Sequence, residues 1–347
     1  MKKWLFIIIP ICALPLFVNL VAPESVPASA PLIGPETDLW DVLNQLGDNK
    51  SNHEMDKSIK GASAEMGESL FLTGFASKPS GGKTSKQSKH FVCTSCHNVV
   101  REDPDLSKSD PQARLEYARD NDLPFLQATT LYGAVNRVSF YNGDYEKKYG
   151  KLVEPARNDL REAIQLCAIE CAQGRELKDW ELESILQYLW TLGLKLSDLN
   201  LSESEMAQLA QKLQQSSGQK DEETINWLKG RFLQASPATF LKPPDDRRSG
   251  YPLEGNADNG KLVYDLSCKH CHENKRYSFF QLDDSPMTFR YLKKHIGRYS
   301  HASIYQVIRY GQQPLYGKRS YMPQYTQEKM SDQQLEDLRA YIKQKSQ

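Results

Sequence analysis

The chain contains several stretches in which apolar residues recur every three to four positions, the spacing of one face of a helix. The strongest of these patterns cover residues 64–75, 158–172, 180–192, 257–267 and 331–345. Ser331 or Asp332 is a suitable N-cap for the last of them. Together these patterns predict an all-α fold.

The two halves of the chain repeat one plan. Gly67 and Phe71 lie four positions apart in the first pattern, and Gly260 and Tyr264 do the same in the fourth. The apolar positions of the patterns at 180–192 and 331–345 also match one by one. Leu182, Ile185, Tyr188 and Leu189 correspond to Leu335, Leu338, Tyr341 and Ile342. The repeat indicates two domains of the same kind.

Other segments connect or precede these domains. Residues 202–213 and 221–233 have the pattern of two amphipathic helices, which we interpret as an interdomain hairpin rather than a partner-binding module. Residues 31–61 are rich in Pro, Ser, Asn and Asp and are interpreted as a tether with one short helix at 38–46. Residues 98–122 are charged and interrupted by proline, and no helix is predicted there. The predicted domains are 62–196 and 251–347, with a helical linker at 197–250.

Residues 1–30 predict an export segment. Lys2 and Lys3 precede an apolar run at 4–22, which is about as long as a bilayer-spanning helix. The tripeptide Ala-Ser-Ala at 28–30 resembles a signal-peptidase site, although a proline follows it. Two alternatives stay open, a cleaved signal peptide and an uncleaved anchor in the inner membrane. Both place the body of the protein in a bacterial periplasm.

Composition and charge narrow the classes of function. The 347-residue chain carries 44 basic and 44 acidic residues, so its formal net charge is zero. Nucleic-acid-binding proteins usually carry a positive excess, so we expect no nucleic acid as a partner. Hydrophobic residues make up 39% of the chain, which predicts folded domains rather than disorder.

Six of the seven cysteines carry the candidate chemistry, because Cys12 belongs to the apolar amino-terminal run. The sequences at 93–97 and 268–272 both have the form C-x-x-C-H, the attachment signature of a c-type haem. In such a motif the two thiols bond to the porphyrin and the histidine binds the iron. Two copies predict two covalently attached haems, bonded to Cys93, Cys96, Cys268 and Cys271 and ligated by His97 and His272. The alternative is two C-x-x-C disulfides with incidental histidines.

With these motifs the chain resembles a dihaem c-type cytochrome with two class I cytochrome c-like haem domains joined by a helical linker. In that family a helix with a glycine and an aromatic residue precedes the haem motif, and a terminal helix crosses it. Gly67 and Gly260 would let the helix backbones approach closely. The family takes a distal methionine from a segment just before the last helix. Met322, followed by Pro323, has that position and is implied as the second ligand of the second iron.

The first domain has no such methionine and carries Ile-Gln-Leu-Cys at 164–167 instead. This segment resembles the one that supplies a cysteine ligand in bacterial thiosulfate dehydrogenases and SoxAX cytochromes, and it implies Cys167 as ligand of the first iron. Gly174 keeps the spacing of that family. Glu170, however, stands where an arginine is usual, and an anionic substrate needs cations near the iron.

Cys167 and Cys171 leave three possibilities open. One is ligation of the first iron by Cys167. The second is a mutual disulfide, since they are the only unassigned pair in an oxidising compartment, although residues four apart on a regular helix suit disulfide geometry poorly. The third is a pair of free thiols, or ligation by Cys171.

The expected function is electron transfer between redox partner proteins, from the first haem to the second. A basic cluster at residues 290–298 could dock an acidic partner, although such clusters are usually solvated helix faces. The alternative is an oxidoreductase that acts on a sulfur compound at a Cys-ligated first haem. A dihaem peroxidase is a third possibility, and no distinctive motif supports it.

Overall fold

The computed structural model describes residues 33–48, 53–215, 219–314 and 320–347. The predicted export segment at 1–30, Cys12 and parts of the tether lie outside these ranges. The described residues form helices and turns without a β-sheet, which confirms the predicted all-α fold. None of the described helices is long and apolar enough to cross a membrane. The predicted domain boundaries remain predictions.

The predicted helices are present in the predicted order, and five further helices of the described residues were not predicted from the apolar pattern. The helices are α1 (Leu39–Gln45), α2 (Ala64–Thr73), α3 (Pro111–Asp120), α4 (Gly143–Tyr149), α5 (Leu160–Leu166), α6 (Asp179–Thr191), α7 (Glu203–Gln215), α8 (Glu222–Lys229), α9 (Ala257–Val263), α10 (Lys269–His272), α11 (Pro286–His295), α12 (Ile304–Tyr310) and α13 (Asp332–Lys345). The five that were not predicted are α3, α4, α10, α11 and α12. We call residues 62–196 the first lobe and residues 251–347 the second lobe.

In the first lobe, α2 crosses α6 at a glycine. A Cβ atom at Gly67 would overlap the carbonyl oxygen of Ser184, so no other residue fits without moving a backbone. Next to this crossing, the rings of Phe71 and Tyr188 lie 5.5 Å apart at 55°. The glycine and the aromatic pair thus fix how the two helices meet.

The second lobe repeats the crossing with α9 and α13. A Cβ atom at Gly260 would overlap the carbonyl oxygen of Asp337. The rings of Tyr264 and Tyr341 lie 5.7 Å apart at 52°, nearly the geometry of the first lobe. Ser331 is the N-cap of α13, and its side chain accepts a hydrogen bond from the backbone N–H of Gln334. The predicted repeat and the predicted cap are both confirmed.

A third apolar core joins the tether to the linker. Leu39, Val42 and Leu43 of α1 are buried against residues of α7 and α8, including Leu209 and Leu228. The predicted short helix and both predicted linker helices are therefore present, and they pack against each other.

Helix α3 was missed because its sequence gives a weak apolar signal. Only Leu115 and Ala118 are buried apolar residues in it, and Pro111 was counted as a helix breaker. Pro111 instead occupies the first turn, where proline is tolerated, and Asp110 caps the helix. Leu115 and the following Phe125 pack into the core of the second lobe, so this segment connects the lobes.

Candidate haem sites

The first haem motif is a short 3₁₀ turn, Cys93–Ser95, followed by Cys96 and His97. The hydroxyl of Ser95 accepts a hydrogen bond from the backbone N–H of Val92 at 3.0 Å, which closes the turn. Nδ1 of His97 donates to the carbonyl oxygen of Thr129 at 2.6 Å. This bond fixes the ring and leaves Nε2 without a proton, as a metal ligand requires.

The second haem motif has a different backbone and the same histidine geometry. A π-helical turn, Tyr264–Cys268, continues α9 into α10, which carries His272. Nδ1 of His272 donates to the carbonyl oxygen of Phe280 at 2.8 Å. Both motif histidines are therefore oriented by a backbone carbonyl, with Nε2 available.

The residues at both motifs fit a covalently bound haem. All four motif cysteines are free and partly buried. Burial raises the pKa of Cys93 and of Cys268 to about 12, so these thiols are neutral in the protein. Among the described residues, no three His, Cys, Asp or Glu side chains converge to hold a metal ion on their own. The residues of the two motifs therefore suit a haem, in which the porphyrin itself binds the iron.

The two haem motifs touch each other. The ring of His270, inside the second motif, lies close enough to the backbone of Ser95, inside the first, for that backbone to raise the pKa of His270 against the larger lowering by burial. Cys96 and Cys271 are close enough that the charge of Cys271 contributes, after burial, to raising the pKa of Cys96. Phe91 bridges the same contact, since its ring lies 6.5 Å from that of Tyr277 in the second lobe.

The segment with Cys167 lies across from the first motif. Helix α5 continues into a π-helical turn, Cys167–Cys171. Residues just before the motif hold this turn: Gln87 donates to the carbonyl oxygen of Ala168 at 2.8 Å, and the hydroxyl of Ser88 donates to that of Ala172 at 2.5 Å. The turn is therefore anchored to the chain that leads into the first haem motif.

Within this turn the two thiols meet without a disulfide. Cys167 is partly buried, Cys171 is exposed, and both are free. The interaction between the two thiols raises the pKa of Cys167 and lowers that of Cys171. Tyr141 is close enough to lower the pKa of Cys171 further. The charges of Cys93 and Cys96 act on Cys167, so the structure brings this predicted ligand to the first motif.

Met322 belongs to the second lobe, and its role as a ligand stays a prediction. Its backbone pairs with Gln312 through two hydrogen bonds of 2.8 and 3.1 Å. The Met322 side chain packs against the second-lobe core, and so does Cys268 of the second motif. The preceding Tyr321 instead faces the first lobe, where its ring lies 5.8 Å from that of Phe91.

Comparison with known proteins identifies the second lobe. Residues 255–342 match the model of the family described as cytochrome c oxidase, cbb3-type, subunit III. Residues 255–342 form a c-type cytochrome domain. No curated protein and no solved structure matches the chain. The family match covers the second lobe only.

A cytochrome c domain contains a covalently bound haem and transfers electrons to and from protein partners. The match therefore supports the haem prediction for Cys268, Cys271 and His272, which lie inside it. The first motif lies outside the matched residues, and its haem stays a prediction.

Sequence reasoning missed several residues near the cytochrome domain and the first site. The carbonyls of Thr129 and Phe280 orient the motif histidines, but a backbone acceptor has no side-chain signal. Tyr141, just before α4, and Tyr145, inside it, lie close to the thiol pair, and their rings are 4.9 Å apart. Glu102 is buried close to the first motif and was hidden in a run of charged residues.

Proposed function

We propose that this protein is a periplasmic dihaem cytochrome c that transfers electrons between redox partner proteins through two covalently bound haems. The contact between the two haem motifs carries the proposal, because the ring of Tyr277 lies 6.5 Å from that of Phe91, next to the first motif, and 5.7 Å from that of His270, inside the second. Each motif also has its histidine oriented for iron. When bound, each haem supplies one-electron exchange between ferric and ferrous iron.

The axial ligands give the electron transfer a direction. We assign His97 and Cys167 to the first haem and His272 and Met322 to the second. A thiolate ligand lowers the reduction potential of a haem, whereas a methionine ligand raises it. Electrons would therefore move from the first haem to the second. Cys167 would hold the first iron through its deprotonated sulfur, and Cys171, the neighbouring thiol, would supply a hydrogen-bond donor beside it.

The surface beside the second motif suits an acidic redox partner. The ring of Phe280 lies 5.9 Å from His272 and 5.7 Å from Tyr291 on α11. Tyr291 and Met287 are exposed, at 42% and 74%. The same helix carries a set of exposed cations, Arg290, Lys293 and Lys294. This surface therefore has an apolar patch with cations around it. Such a surface is complementary to a partner protein that carries acidic residues around its own redox centre.

The proposed cellular location of the protein is based on its amino-terminal sequence. The lysines and apolar run at 1–30 support export to the periplasm, as a cleaved signal peptide or as an anchor in the inner membrane.

One observation favours a second candidate function, oxidation of a sulfur compound at the first haem. Cys171 is an exposed thiol next to the proposed iron ligand Cys167, and the two thiols shift each other's pKa. Glu170 in the same turn disfavours an anionic substrate. Turnover of thiosulfate with ferricyanide as acceptor would distinguish this enzyme from an electron carrier.

The haem count tests the main proposal. A pyridine haemochrome assay on the exported protein should give two haems per chain. The double variant Cys268→Ala, Cys271→Ala should keep one haem, at the first motif, and so should Cys93→Ala, Cys96→Ala, at the second. One haem in the unmodified protein, or two in either variant, would overturn the proposal.

A further inference from the structure

A buried carboxylate lies behind the first haem motif. Glu102 is 1% exposed and is surrounded by donors from both lobes. Arg114 pairs with it at 3.2 Å and Lys329, from the second lobe, at 3.0 Å. Burial opposes the ionisation of Glu102, but these two cations overcome that cost and hold its pKa well below the usual value. Glu102 is therefore charged in the folded protein.

The same carboxylate holds the segment that orients His97. Oε1 of Glu102 accepts a hydrogen bond from the backbone N–H of Thr130 at 3.0 Å, and Oε2 accepts one from the side chain of Asn98 at 2.9 Å. Thr130 follows Thr129, whose carbonyl binds the ring of His97, and Asn98 follows His97 itself. Glu102 thus fixes both ends of the hydrogen bond that sets the orientation of the ring.

The charges of this cluster lie around the segment that holds His97. Glu102, with its cations Arg114 and Lys329, is bonded to the backbone N–H of Thr130, the residue after the one that binds the ring. Arg137 is itself held against this segment, since it donates to the carbonyl oxygen of Thr130 at 3.0 Å. The ring therefore lies in a field to which one anion and at least two cations contribute.

We propose that Glu102 is a positioning residue of the first haem, which holds the Thr129–Thr130 segment against His97 and, together with Lys329, sets the electrostatic field at that ring. The proposal rests on the proposed haem at the first motif. In this proposal the ion pair between Glu102 and Lys329 does more than join the two lobes, since it also adjusts the reduction potential of the first haem.

The field has a predictable effect on the reduction potential. A ferric haem carries one more positive charge than a ferrous haem, so nearby anions favour the oxidised form and nearby cations disfavour it. Glu102→Gln keeps the shape of the side chain and removes its negative charge, so the potential of the first haem should rise. Lys329→Met removes a positive charge, so the same potential should fall.

Spectroelectrochemical titration of the full two-haem protein tests this pair of opposite shifts. Met322→His, measured in parallel, identifies which potential belongs to the second haem. Glu183→Gln is the matched control, because Glu183 is also 1% exposed and paired with an arginine, Arg161, but contacts neither haem motif. Both potentials should stay at their unmodified values in this control.

Opposite shifts in one potential would support the proposal. Two bound haems with unchanged potentials in both variants, or shifts of the same sign, would overturn it. If Glu102→Gln does not fold, Lys329→Met decides alone, since Glu102 keeps its contact with Arg114 in that variant. A haem count below two in the unmodified protein would instead show that the proposed function fails.

Discussion

The ring of Phe91, just before the first haem motif, lies 6.5 Å from the ring of Tyr277, just after the second, so the two motifs lie side by side. Electron tunnelling and optical coupling both depend steeply on separation. The arrangement therefore predicts a pair of closely spaced haems that behave as one unit.

Circular dichroism in the Soret region tests this closeness. We expect a bisignate band from the two-haem protein, since two nearby chromophores couple. The single-haem variant Cys268→Ala, Cys271→Ala should show a simple band of one sign. A simple band from the protein with both haems would mean that the haems lie too far apart or too nearly parallel to couple.

Met322→His should change the second haem alone. Replacing a thioether by an imidazole lowers the reduction potential and removes the weak charge-transfer band near the red end of the visible spectrum. Met330→Leu is a suitable control, because Met330 is 1% exposed and packed in the core. The assignment is wrong if the band survives in Met322→His or disappears in the control.

Cys167→Met should raise the potential of the first haem and abolish the thiolate signal in low-temperature electron paramagnetic resonance. Cys171→Ser keeps a hydrogen-bond donor next to Cys167 and should leave that signal in place. Loss of the signal in Cys171→Ser would transfer the ligand role to Cys171. A disulfide between the two, found by mass spectrometry of the oxidised holoprotein, would exclude both as ligands.

Gly260→Ala should destabilise the second lobe. The added methyl group would meet the backbone of Asp337 at the crossing of α9 and α13, and overpacking of this kind typically costs about 1–3 kcal/mol. Urea unfolding of the holoprotein measures the loss. Gly143→Ala at the start of α4 is the control, because its Cβ would meet no atom within 4 Å. Equal stability of Gly260→Ala and the unmodified protein would refute the tight crossing.

Charge reversal on α11 should slow electron transfer to an acidic partner. The double variant Lys293→Glu, Lys294→Glu should lower the second-order rate by about tenfold at low ionic strength, and the difference should shrink as salt is added. Stopped-flow mixing with an acidic redox protein measures the rate. Lys57→Glu, an exposed site before the first lobe, is the control. A salt-independent rate would place docking elsewhere.

The sequence predicts those parts of this protein that depend on local pattern. The Gly–aromatic spacing at Gly67 and Gly260 and the stripe that includes Tyr188 and Tyr341 are local signals of the repeat, and the family resemblance that they support implied both crossings. The haem motifs are contiguous in sequence and need no fold to be recognised. Helix α3 was missed because a proline in the first turn resembles a breaker.

Contacts between distant parts of the chain could not be predicted in this way. Nothing in the sequence around Ser95 indicates His270, and nothing around Glu102 indicates Lys329. Such contacts come from packing of whole helices, and a single sequence contains no pairing information for them. The π-helical turn that brings Cys167 and Cys171 together is likewise set by its anchors before the first motif.

Tyr321 and Met322 are neighbours in sequence, yet the first faces the thiols and Phe91 of the first lobe and the second packs into the second lobe. The length of this segment is therefore constrained from two sides. Inserting or deleting one residue here would displace side chains at both proposed haem sites together, whereas the exposed loop at residues 78–83 has no such double constraint. Among natural variants of this chain, we expect length changes to be tolerated in that loop and absent between Ser320 and Pro323.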